Sequence, residues 1–389
     1  MLHSSTAAPG EDTHSRALAD LENGRHSAAI RALDLIIASD PSNLGAWLDL
    51  GIAHCLAGNA DAASRIFLTL EARDDLPTGV AEVLAFYRTG GCRPLPLGLQ
   101  GFISIGTGYA TNVNLAPLSG LVSLPGLGLD LTLQSESRPR RSPLNQLELG
   151  AVYALTRDQA WTVAALGQVQ RYGEASELGL DTTQVSLSYR RPSPLALSES
   201  QVSYSQLWLG GRPHVGALSA SGQMLRHAVG PLSLGLAGNV TRLSFSELTS
   251  FDAVQYDARA RAILNSGSTR LTLDAGWIED RPTGDRAGGR RHGPVAQARL
   301  QMPVGKLGSL DFIARRSWLR DANPYNEVLF ADLVRSSQQL SFQAAWRIPV
   351  APQTSLRIDY RLQSARDTIS LFSYNAHTLT AAMEWSFAR

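Results

Sequence analysis

The sequence predicts an α plus all-β protein: a short N-terminal run of helical hairpins, followed by a transmembrane antiparallel β-barrel of about 14 strands. Three observations lead there. Periodicity is helical up to Thr89 and alternates with period two from Gly98 to the end. The alternating segments are numerous and close to the ~10 residues of a membrane-crossing strand. No run approaches the ~18 consecutive apolar residues that a membrane helix needs. A barrel needs only every second residue to be apolar, and 44% of the chain is.

Length and charge narrow the classes. A chain of 389 residues holds one large domain or two ordinary ones. A formal net charge of +1 gives no footprint for a nucleic-acid partner. Lys306 is the one lysine, so the basic residues are otherwise arginine. Cys55 and Cys92 are too few for a disulfide framework or a metal cluster. Cys55 reads as a small core residue of a helix, and a disulfide to Cys92 stays open because an oxidising compartment permits it. An outer-membrane protein needs a secretory signal, whereas Met1 to Ser15 is polar and lacks an apolar core of that kind. The expected organisation is a disordered 1–14, helices over 15–92, a linker over 93–97 and the barrel over 98–389.

The helical region repeats. Gly24 and Gly58, Ala29 and Ala63, and Leu33 and Phe67 are each 34 residues apart, the tetratricopeptide period. Trp47, Leu50, Gly51 and His54 resemble that repeat's opening, with His in the Tyr place. Pro41 closes the first copy. Small residues at Gly24, Ala29, Gly51, Gly58 and Ala63 are expected to let antiparallel helices approach closely. Trp47, Leu50 and Phe67 then fill the space between pairs. Such a stack needs a terminal cap, which Val80–Tyr87 is apolar enough to begin. A plain helical hairpin with accidental periodicity is the alternative.

After Pro94 and Pro96 the pattern turns to strands. Leu147, Leu149, Ala151 and Tyr153 alternate with Gln146, Glu148 and Gly150, and Leu271, Leu273, Ala275 and Trp277 alternate with Arg270, Thr272, Asp274 and Gly276. The closing segment sets Leu379, Ala381, Met383, Trp385 and Phe387 against Thr378, Thr380, Ala382, Glu384 and Ser386. Short turns near Thr156–Asp158, Asn265–Gly267, Pro303–Lys306 and Pro349–Pro352 alternate with long polar loops at Tyr172–Asp181, Glu279–His292 and Ser317–Ser336. A long first loop, Leu115 to Ser142, has room for a hairpin near Leu129–Leu133. The count is even, both barrel ends fall on the short-turn side, and the helices are thereby placed in the periplasm. A propeller or β-helix would show a fixed repeat that is absent, and a sandwich does not require fourteen such strands.

The segment Gly106-Thr107-Gly108-Tyr109-Ala110-Thr111-Asn112-Val113-Asn114-Leu115-Ala116-Pro117 resembles the start of the barrel in surface lipoprotein assembly modifier proteins. The closing stretch is similar too: an extended Tyr360 strand, a Ser370–Tyr374 loop and a last strand ending in an aromatic. The resemblance implies a periplasmic tetratricopeptide domain and a fourteen-stranded barrel that helps deliver a surface lipoprotein or other secreted client. Gly106, Gly108, Tyr109, Asn112, Asn114 and Pro117 carry the first motif, and Trp385 and Phe387 form the terminal signal read by the barrel-assembly machinery. The helical part is shorter than the family's, and Ala388 and Arg389 follow the terminal aromatic.

No catalytic constellation, cofactor motif or metal spacing is present, so the expectation is a non-enzyme without cofactor. Gly106-x-Gly108 is a strand pair without the third glycine of a dinucleotide site. Glu279, Asp280 and Asp285 read as solvated loop carboxylates. Arg290, Arg291 and His292 either contact lipopolysaccharide phosphates or keep their loop soluble. The polar parity places Asp257, Arg259, Arg261, Arg299, Arg315, Arg347, Arg357, Asp359, Arg361 and Glu384 toward the lumen. There they either pair and brace the barrel or line a path for an anionic or polypeptide cargo. Three roles follow: client translocation, exopolysaccharide export and a passive porin, the last leaving the helices without a purpose. Expected partners are outer-membrane lipid, the assembly machinery and a client or polysaccharide.

Overall fold

The computed structural model describes residues 9–22, 24–71, 73, 80, 84, 99–156, 160–192, 196–229, 231–266 and 268–388. The chain divides into two compact units, Met1–Leu97 and Gly98–Arg389.

In the first unit, helices α1 (Pro9–Glu22), α2 (His26–Ser39), α3 (Leu44–Leu56) and α4 (Ala60–Glu71) pack each against the next. Helix α1 begins at Pro9, so residues 9–14 belong to it and not to a disordered tail. Proline suits a first helical turn, and His14 is held by Asp49 of α3 at 2.8 Å. Burial pushes the Asp49 carboxyl above its ordinary value, and the hydrogen bond with His14 opposes that rise. The Asn43 side chain caps α3 by accepting from the Ala46 amide at 3.0 Å.

Ala29 and Ala63 are fully buried, and Leu50 nearly so. Trp47 packs against both apolar clusters, one around Leu33 and Leu50 and the other around Ala63 and Phe67. Gly51 permits the closest approach, since a Cβ there would lie 2.3 Å from the Phe67 ring. Gly24 and Gly58 correct the expectation: they sit between helices at φ +73° and +81°, with nothing near the missing Cβ. They make the turns, and the small size of their side chains brings no helices together. Val80 and buried Leu84 join the second cluster, while the rest of Val80–Tyr87 lies outside the described residues. Cys55 is buried and disulfide-bonded. Cys92 and the linker 93–97 lie outside the described residues.

The second unit is a closed antiparallel barrel of 14 strands among the described residues. They are β1 (Leu99–Ala110), β4 (Ser142–Ala154), β5 (Trp161–Tyr172), β6 (Leu180–Pro192), β7 (Ala196–Leu209), β8 (Arg212–Val229), β9 (Leu232–Phe245), β10 (Ala253–Ser266), β11 (Thr269–Pro282), β12 (Arg291–Pro303), β13 (Ser309–Pro324), β14 (Val334–Ala351), β15 (Thr354–Asp367) and β16 (Tyr374–Ala388). The first long loop holds the hairpin β2 (Leu121–Leu124) and β3 (Leu129–Thr132), and a one-turn helix, α5 (Glu327–Phe330), follows β13.

Closure pairs β1 with β16 continuously, from Gln100 opposite Ala388 to Ala110 opposite Thr378. Glycines make this seam possible. A Cβ on Gly108 would lie 2.2 Å from the Leu379 carbonyl oxygen, and one on Gly106 2.6 Å from the Ala382 Cβ. Phe387 lies over Gly101, where a Cβ would meet its ring at 2.5 Å.

The outward face is apolar and exposed: Ile105, Val185, Leu218, Leu236, Leu273 and Leu379 are each around half accessible. A belt of this kind is stable only against lipid. Aromatic side chains mark its borders, among them Trp161 packed at a tilt against Tyr189 with ring centres 4.7 Å apart. Trp385 and Phe387 are outward and exposed in β16, and Tyr109 is outward near the other rim.

The loops depart from expectation in two ways. Strands β13 and β14 run 16 and 18 residues, so much of Ser317–Ser336 is strand that continues past the lipid. Polar side chains there imitate a loop. On the long-loop end, β7 and β8 meet in a two-residue turn, Gly210-Gly211, with φ +58° and +79°.

Candidate functional site

The inward face of the barrel is the candidate site, and strand register decides which of its side chains meet. On β10 and β11, Arg261 stands opposite Asp274 and binds it at 2.6 Å. Arg259 binds Asp257 of its own strand through Nε at 2.7 Å, and also donates to Gln297 of β12 at 3.2 Å. Arg299 of β12 binds Asp311 of β13 at 3.0 Å. Arg190 of β6 binds Glu199 of β7 at 3.0 Å, and Gln223 bridges Glu199 to Arg261.

The densest cluster crosses the closing seam. Arg357 of β15 binds Asp359 at 2.7 Å and reaches Glu148 of β4 at 3.3 Å, past both strands of the seam. Its guanidinium is also 4.0 Å from Glu384 of β16, which Arg347 of β14 holds at 3.2 Å. Three carboxylates thus share two guanidiniums, and the arginines satisfy charges that the lumen would otherwise leave costly. Arg315 and Arg361 face inward with the others but form no ion pair or hydrogen bond among the described residues.

The first-strand motif has a structural account. Buried Asn112 accepts from the Ala116 amide at 2.9 Å and donates to the carbonyls of Ala116 and Asn375. It fixes a tight turn in which Leu115 takes φ +49° and ties β1 to the start of β16. Asn114 donates to Arg138 at 2.9 Å and accepts from the Arg140 amide at 3.1 Å, closing the base of the long loop. Pro117 is buried just beyond. The loop's Val122 and Leu124 pack with Phe330 of α5 and with Ile369, so three loops form one apolar cluster at this end.

Of the three carboxylates expected to be merely solvated, Asp285 is exposed as expected, and the other two are engaged. Glu279 pairs with Arg281 and Arg290, and Asp280 with the almost fully buried Arg286. Arg291 is not a free loop cation either: it holds Asp321 at 2.7 Å. Arg335 and Asp367 pair at 2.7 Å under the Phe372 ring. The partners Glu148, Glu199, Asp274, Asp311 and Asp367 were all on inward parity, which was the signal available for them.

The lumen is also less polar than alternation suggested. Phe102, Gly150, Leu166 and Gln184 are successive partners across β1, β4, β5 and β6, and Val152 and Ala164 pair one step nearer the turns. Phe102, Val152 and Leu166 therefore form an inward apolar patch at the short-turn end. It lines a cavity of about 610 Å³ whose other walls include Gln184, Ser186, Arg347 and Glu384.

A family model for the tetratricopeptide repeat matches residues 20–85. No curated protein sequence matches the chain. Among solved structures, OccAB3 of Acinetobacter baumannii is similar at 8% identity and TM-score 0.41, covering 75% of this chain and 99% of that one. An outer membrane channel from Pseudomonas putida F1 is similar at 13% identity and TM-score 0.39, covering 75% and 97%. The translocator domain of the autotransporter NalP from Neisseria meningitidis is similar at 13% identity and TM-score 0.33, covering 85% and 97%.

Proposed function

We propose that the protein is an outer-membrane translocation accessory of the surface lipoprotein assembly modifier kind. In this reading the barrel assists the passage or surface display of a lipoprotein or another secreted client. The tetratricopeptide helices lie in the periplasm and engage the client or its carrier. Assembly proceeds through the barrel-assembly machinery, with Trp385 and Phe387 of β16 as its signal.

The apolar patch of Phe102, Val152 and Leu166 inside the lumen is what supports this reading best. A client with apolar segments can be held there beside hydrogen-bonding groups. Exopolysaccharide export is the second reading. It is favoured by the hydroxyl and amide side chains of β6 to β9, among them Ser186, Ser203, Ser219 and Asn239, which suit sugar hydroxyls.

Deleting the gene separates the two. Surface lipoproteins, followed by protease shaving of intact cells, are expected to become protected while surface polysaccharide is unchanged. Loss of polysaccharide with normal lipoprotein display would instead establish the second reading. Leu166→Gln is expected to weaken display without lowering the amount of folded barrel.

A further inference from the structure

The inward arginines fall into two groups. Arg259, Arg261, Arg299, Arg347 and Arg357 each hold a carboxylate. Arg270, Arg315 and Arg361 share the inward parity and, among the described residues, form no ion pair or hydrogen bond. Their register neighbours are all neutral. Arg270 stands between Asn265 and Gln301, Arg315 between Gln297 and Ser341, and Arg361 between Gln343 and Thr378.

The three occupy different depths. Arg270 is the second residue of β11 and is exposed at the short-turn mouth, while Arg315 and Arg361 lie halfway along β13 and β15. A guanidinium in a partly dehydrated lumen needs a counter-charge. Wall carboxylates act on them only at a distance, Glu199 on Arg270 and Asp257 on Arg315, and Asp359, two residues from Arg361, is held by Arg357, so each guanidinium can still draw a counter-charge from solution. The neighbouring amides and hydroxyls can add donors to an anion but carry no charge to hold it permanently. Attraction without tight capture at successive sites is what conduction requires.

We propose that the lumen is a selective path for small anions, with Arg270, Arg315 and Arg361 as successive weak sites from the short-turn mouth to the middle of the barrel. Chloride and inorganic phosphate fit this chemistry. Small cations meet the same unpaired guanidiniums as a barrier. The proposal does not depend on the client reading: a barrel that displays no lipoprotein can still select anions, and one that displays lipoprotein can fail to.

The test is the reversal potential of the purified full-length protein in planar bilayers under a KCl gradient. The expected sign is that of chloride permeation, with chloride favoured over potassium by at least ~3-fold. Arg315→Gln with Arg361→Gln is expected to halve that ratio or more, with heat-modifiability on gels retained, and Arg315→Glu with Arg361→Glu to invert the sign. Should the double variants not assemble, inorganic phosphate added to the parent is the second readout, and it is expected to depress the chloride current. A parent that prefers potassium or does not conduct, a Gln pair with unchanged reversal potential, or a chloride current indifferent to phosphate overturns the proposal.

Discussion

Two walls of one barrel solve the same problem differently. From β10 round to β16 and on to β4, inward positions carry arginines and carboxylates that reach across strands. From β6 to β9 they carry mostly serine, threonine and amides, joined at short range: Ser219 to Thr241 at 2.9 Å, and Asn239 to Thr241 at 2.8 Å. Arg190 with Glu199 is the charged exception there. Hydroxyls couple only adjacent strands or one strand to itself. An arginine couples strands that are not neighbours, as Arg357 does in joining β15 to β4. The charged wall, which contains the seam, is thus braced beyond the backbone ladder, and the hydroxyl wall depends mainly on that ladder, with the Glu199–Gln223–Arg261 bridge tying it to β10.

Breaking the seam itself should have the largest effect. Gly108→Val sets a side chain against the Leu379 carbonyl, and Phe387→Asp puts a charge on the lipid side and uncovers Gly101. Each is expected to abolish folded, heat-modifiable barrel in the outer membrane while synthesis continues. Normal assembly of Phe387→Asp would mean that the parity of β16 is wrong. Arg357→Ala comes next. It leaves Glu148, Asp359 and Glu384 short of a counter-charge and should cost about 3 kcal/mol in denaturant unfolding from detergent. Asn112→Ala should cost about 2 kcal/mol by leaving the Ala116 and Asn375 groups unsatisfied. It should also speed proteolysis within the loop 115–141. The smallest effect is expected for Ser219→Ala on the hydroxyl wall, about 1 kcal/mol. An Ser219→Ala loss equal to that of Arg357→Ala would erase the distinction between the walls.

Much of this was legible in the sequence, because parity and turn chemistry are local properties. Alternation placed Asp257, Arg315, Asp359 and Glu384 on the inward side, and the even strand count followed from where the short turns lie. Register was not legible, since it depends on how strands slide against each other. Glu148 could be assigned a face, but nothing in its neighbourhood names Arg357 as its partner. Parity also misleads where a barrel exposes apolar groups to its own lumen, as at Phe102, Val152 and Leu166. Length misled at β13 and β14, whose upper halves carry polar residues such as Arg320, Asp321, Ser336 and Gln338 on both faces because lipid no longer selects them. Gly24 and Gly58 carried the right spacing with the wrong purpose, since a repeat conserves its turns as faithfully as its contacts.

The contact of Arg357 with Glu148 joins residues 209 apart in the chain. It cannot exist until the first and last strands have been brought together, so it belongs to the end of folding and contributes little to the barrier that limits insertion. Interactions absent from the transition state act on the reverse rate. The pair is therefore a determinant of lifetime. Its removal should leave the rate of membrane insertion nearly unchanged and shorten the time the finished barrel persists before it opens.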